Sequence, residues 1–132
     1  MSHALRVNSI NSWYPEGATP VTASSGNVAA SVATATITPA AGKTAWVTGL
    51  MIFPAGATAG AIVNATLTGL VGGTITIPVG APTGAAVAGY PIVLEFPAPV
   101  PATAIAQAVS LSMPSLGAGN TNAAVTLLGF TV

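Results

Sequence analysis

From Val28 to the C-terminus, apolar and polar residues alternate in short runs separated by glycine, proline and alanine. A period of two sends successive side chains to opposite faces, so each run reads as a half-buried β-strand. In residues 28–38, Thr34, Thr36 and Thr38 share one face and Ala33, Ala35 and Ile37 the other. Residues 44–53 are the strongest candidate. Strict alternation there sets Trp46, Leu50 and Ile52 on one face against Val47, Met51 and Phe53, and Pro54 ends the run. Residues 61–70 oppose Val63, Ala65 and Leu67 to Asn64, Thr66 and Thr68, and residues 74–79 alternate Thr74 and Thr76 with Ile75 and Ile77. Ile92, Leu94 and Phe96 alternate with Val93 and Glu95 ahead of a stiff proline-rich connector, residues 97–101. Val109, Leu111 and Met113 alternate with Ser110 and Ser112, and a last run covers residues 123–132.

No run carries a helical period of useful length, and the spacing of turn residues suits antiparallel pairing. The expectation is an all-β protein: an antiparallel β-sandwich of seven to eight strands at residues 27–132, jelly-roll-like because two sheets of that kind need about eight strands. Residues 1–26 do not alternate, and Pro15, Gly17 and Pro20 interrupt them. They read as an extended N-terminal arm, long enough to reach on the order of 85 Å.

Composition narrows the function more than the strands do. Two Lys/Arg and two Asp/Glu give a net charge of zero over 132 residues. A nucleic-acid partner requires a basic stripe to neutralise phosphates, and one Arg with one Lys cannot form it. No cysteine is present, and His3, Glu16 and Glu95 are too few and too scattered to ligate a metal, so no metal or cofactor is expected. The most apolar stretch, residues 47–63, is broken by Pro54 and three glycines, which argues against a membrane partner. The N-terminus lacks an apolar core of signal-peptide length, so export by that route is not expected.

Three motifs imitate catalytic or binding chemistry. Gly42-Lys43-Thr44 has the tail of a phosphate loop, but Ile37 stands where the first glycine belongs and a strand pattern follows instead of a helix. Residues 117–122, GAGNTN, resemble a dinucleotide fingerprint with Asn122 in place of the third small residue; they read as a hairpin loop. Glu16 and Glu95 are the only carboxylates, one in the arm and one on a strand, which does not make an acid pair. A serine triad would have to recruit His3 beside the terminus, so no enzyme is expected. The Thr-x-Thr runs at 34–38, 66–68 and 74–76 admit an ice-binding reading, but no fixed repeat aligns them in the sequence.

What remains is contact chemistry. Trp13 and Tyr14 are large aromatics in an irregular segment, the type of residue that anchors interfaces, and they are flanked by Arg6 and Glu16. These four are the candidate partner-contact residues. A surface so poor in charge gives little repulsion between copies, which points to a homo-oligomer docked on a larger assembly.

Residues 36–50 (TITPAAGKTAWVTGL), 67–74 (LTGLVGGT), 96–102 (FPAPVPA) and 117–125 (GAGNTNAAV) resemble small Ala/Thr/Gly-rich β-sandwich proteins of tailed bacteriophages that decorate or cement the capsid. The resemblance spans most of residues 34–130. It implies a structural virion protein made in the host cytoplasm, bound to the capsid exterior as a trimer, its arm touching major capsid protein subunits. The alternative expectation is a receptor- or glycan-binding head-fibre or tail-spike domain, with Tyr90 and Trp46 as the aromatics left outside the arm.

Overall fold

A computed structural model of the chain describes residues 14–132. Among them are eight strands and no helix: β1 (Thr19–Ser24), β2 (Ala33–Ile37), β3 (Ala45–Pro54), β4 (Ala61–Thr68), β5 (Ile75–Ala81), β6 (Ile92–Pro101), β7 (Val109–Met113) and β8 (Ala123–Thr131). They form two four-stranded antiparallel sheets, ordered β1-β8-β3-β6 and β2-β7-β4-β5. Strands pair from the outside of the chain inward: β1 with β8, β2 with β7, β3 with β6 and β4 with β5. β4 and β5 are therefore the central hairpin of a chain folded back along its length.

The inward positions of both sheets share one core. Ala45, Val47, Leu50, Ile52, Val125 and Leu127 from the first sheet meet Ala33, Ala35, Ile37, Leu67, Leu111 and Met113 from the second. Each comes from the apolar half of an alternating run, so burial of these side chains, at about 1.5–3 kcal/mol for each large one, fixes which face of every strand turns inward.

Three expectations change. Residues 19–24, which the sequence reading places in the arm, are edge strand β1, with Val21 and Ala23 packed on the core. Pro20 does not prevent this, because an edge strand leaves outward N–H positions that need no ladder partner. Secondly, strict alternation fails in β3. Its register slips between Val47 and Gly49 against both neighbours, so Ala45 and Val47 before the slip point the same way as Leu50 and Ile52 after it. Trp46 is thereby sent outward with Met51 and Phe53, a one-residue bulge inverting the predicted phase. Thirdly, the proline-rich connector is part of β6. Val47 pairs with Val100 and Gly49 with Glu95, so residues 96–99 bow out of the ladder as a wide bulge, where Pro97 and Pro99 need no N–H partner.

Candidate interaction faces

The outward positions give the two sheets opposite surfaces. On the second sheet, Thr34 stands opposite Ser112, Ser112 opposite Thr66, and Thr66 opposite Thr76, a row of hydroxyls across all four strands. Thr36, Ser110 and Thr68 form a second row beside it. Within the rows, Thr34 Oγ1 lies 3.2 Å from Ser112 Oγ and Thr36 Oγ1 lies 2.8 Å from Ser110 Oγ. The strand register thus aligns what the sequence, lacking a repeat, leaves scattered. Each hydroxyl keeps further capacity for water, which solvates this face without any charge.

The first sheet turns its large apolar and aromatic side chains outward, beside the hydroxyls of Thr22, Ser24, Thr48 and Thr126. Phe130 alternates with the inward residues of β8 and so faces out, yet it is only 2% exposed. Two aromatics cover it: Trp46 stacks on its ring (centroids 5.9 Å, planes 6° apart) and Tyr14 meets it edge-on (5.4 Å, 72°). Such contacts contribute about 0.5–1.5 kcal/mol each beyond the area they bury. The Trp46 indole nitrogen is buried without a hydrogen-bond acceptor among the described residues. Farther along the face, Met51 is half-buried, and Phe53 and Val93 are 42% and 61% exposed.

Between these regions the β6 bulge opens a groove of about 390 Å³, lined by Tyr14, Thr48, Leu128, Glu95, Pro97 and Pro99 among others. It exists because the bulge in β3 and the unladdered prolines of β6 leave the sheet locally open. Glu95 is the one charged residue on the four strands of this sheet. A second recess, about 460 Å³, lies at the end of β4 and β5 beside Ile62, Gly80, Pro82 and Ala88, with Tyr90 projecting next to it at 92% exposure.

Of the sequence-predicted contact residues, Arg6 and Trp13 lie outside the described residues. Tyr14 is placed on Phe130, and Glu16 is exposed in the turn that Ala18 closes by donating to the Pro15 carbonyl. The residues that sequence reasoning missed are Phe130, Leu128 and Met51. Phe130 and Leu128 share the outward phase of β8, a signal that was available; Met51 gains its outward company only through the bulge.

Asn120 was also missed. It is 3% exposed, and its Nδ2 donates to the carbonyls of Ala55 (3.1 Å), Gly56 (3.0 Å) and Asn122 (3.1 Å), while Oδ1 accepts from the Ala30 N–H (3.3 Å). The loop at 117–122 is therefore held by a buried side-chain hub, with Gly117 and Gly119 supplying the left-handed turns (φ 116° and 81°). No group of three or more His, Asp or Glu among the described residues could hold a metal ion. In comparisons with known proteins, no family model, no curated protein and no solved structure matches this chain.

Proposed function

We propose that the protein is a non-enzymatic structural component of a tailed-bacteriophage virion. In this reading it decorates or cements the outside of the capsid by bridging major capsid protein subunits as a homo-oligomer. The observation that carries the reading is the unequal surface: one sheet face on which Trp46, Phe130, Met51, Phe53 and Val93 gather, and one crossed by rows of hydroxyls, on the same small domain. A molecule built so has a contact side and a wet side, which suits permanent attachment to a large surface. The sequence resemblance supplies the identity of that surface.

The nested pairing of β1 with β8, β2 with β7, β3 with β6 and β4 with β5 supports a jelly-roll sandwich as its framework. Residues 1–13, carrying Arg6 and Trp13, precede Tyr14 at the edge of the apolar face, and with Glu16 they are the proposed capsid contacts.

The test is reconstitution on heads purified without this protein. Removing residues 2–13 while keeping Tyr14 and β1 should reduce occupancy at least tenfold and leave the β-sheet circular dichroism unchanged. Undiminished occupancy by the shortened chain contradicts the capsid contact. The alternative of a glycan- or receptor-binding fibre domain draws on the exposed Tyr90, which lines the second recess together with glycine, alanine, proline and isoleucine. A sugar site needs several convergent polar groups, which that lining does not supply.

A further inference from the structure

We propose that residues 1–13 of this chain bind its own groove on the first sheet, with the Arg6 guanidinium against the Glu95 carboxylate. This seat deepens the capsid-contact reading of the same residues and rests on it for its purpose, which is to present the segment to the shell from a fixed place; its test contains no capsid. Three observations select this occupant.

The first is where the segment joins the sheet. Residue 13 is bonded to Tyr14, and Tyr14 is itself a wall of the groove, set edge-on against the buried Phe130. Arg6 precedes Tyr14 by eight residues, which span up to about 27 Å when extended. Glu95 lines the same groove as Tyr14, so the segment needs only part of that reach. Any other occupant arrives from solution, whereas this one is tethered at the rim and has a high effective concentration there.

The second is charge. Glu95 is exposed in the groove wall, and the described residues hold a single Lys or Arg, Lys43. Lys43 precedes β3, whereas Glu95 stands opposite Gly49, six residues farther along. At about 3.4 Å per residue that is roughly 20 Å, too far for a lysine side chain to cross. Arg6 is the one other Lys or Arg of the chain.

The third is the lining. Phe96, Pro97, Pro99 and Leu128 wall the groove beside Glu95. An arginine suits such a site along its whole length. Its methylene stem covers apolar carbon, and its planar head binds a carboxylate through two parallel N–H donors and stacks on aromatic rings. A volume of about 390 Å³ admits a strip of chain rather than a folded domain.

The experiment is zero-length cross-linking of the full chain carrying Arg6→Lys. A water-soluble carbodiimide activates a carboxylate, and an amine in contact with it attacks. An amide bond forms, the carbodiimide leaves as its urea, and the protein loses one water. Peptide mass spectrometry should find position 6 joined to Glu95 within single chains, and Glu95→Gln should abolish that link. Without Arg6→Lys, trypsin has two sites in the chain, Arg6 and Lys43. Glu95→Gln should speed cleavage after Arg6 about two- to fivefold, as expected for loss of an exposed ion pair, with cleavage after Lys43 unchanged as the internal reference. Position 6 joined to Glu16 and not to Glu95 overturns the proposal, as does an Arg6 cleavage rate indifferent to Glu95→Gln. Links between chains only make a second copy the occupant, and no link at all leaves the groove to another protein; either result overturns it too. A chain that forms the link yet fails to occupy purified heads would contradict the capsid function and leave this seat standing, whereas full occupancy without the link would contradict the seat alone.

Discussion

Asn120→Ala should lower stability by about 2–4 kcal/mol and the thermal midpoint by roughly 10 °C, the sum of several stranded polar groups in one buried place. The amide has two hydrogens and serves three carbonyls, on Ala55, Gly56 and Asn122, so one hydrogen is shared; its oxygen serves the Ala30 amide. One side chain thus joins the loops that follow β1, β3 and β7. Truncation leaves carbonyls in a site from which water is largely excluded. Asn120→Asp should be at least as damaging at neutral pH, because a carboxylate can accept from Ala30 but would face three carbonyl oxygens without a hydrogen to give them. Thermal denaturation of the two variants checks this, and a midpoint within 2–3 °C of the unaltered protein for both would contradict the hub.

Gly129→Ala should have a comparable or larger effect, at least about 3 kcal/mol, by overpacking rather than by loss. Gly129 is buried near the C-terminal end of β8, between Val21 of β1 and Val47 of β3. A Cβ built there would overlap the Trp46 carbonyl oxygen and press on the Trp46 carbonyl carbon and Val47 Cα. All three are backbone atoms of the neighbouring strand, so no rotamer change relieves the clash. β3 would have to move away from β8, disturbing the Trp46–Phe130 stack on the outer face as well. Soluble yield and denaturant midpoint measure the result. A variant as soluble and as stable as the unaltered protein would mean that β3 and β8 approach less closely than described.

The strands after Val28 were legible because their alternation is strong and their ends are marked by proline and glycine. The inward sets Ala33, Ala35, Ile37 and Val109, Leu111, Met113 could be read directly. The errors fall where backbone irregularity overrides pattern. A period-two reading of β3 cannot know that one residue bulges at Thr48, and the whole facing of Trp46 depends on that residue. A run of three alternate prolines reads as a connector until the strand is known to be at an edge, where missing N–H groups are tolerated. β1 was hidden by its weak apolar half, Val21 and Ala23, and by Pro20.

The candidate surface was legible only in part. The scarcity of charge and the aromatic pair before residue 15 were plain in the composition. The gathering of large aromatics on one face and of hydroxyl rows on the other was not, because the rows require the cross-strand register that brings Thr34, Ser112, Thr66 and Thr76 together. Asn120 is invisible to pattern altogether. An asparagine between glycines and threonine reads as turn chemistry, and only the closure of three loops around it makes it a buried donor.

The central claim is that this chain covers a shell as one of its many repeated parts. Counting its copies in purified particles, by quantitative mass spectrometry against the major capsid protein, tests that claim most directly. Decoration predicts hundreds of copies, in a fixed small-integer ratio to the capsid subunit; a few dozen or fewer, or none in the particle, would contradict it.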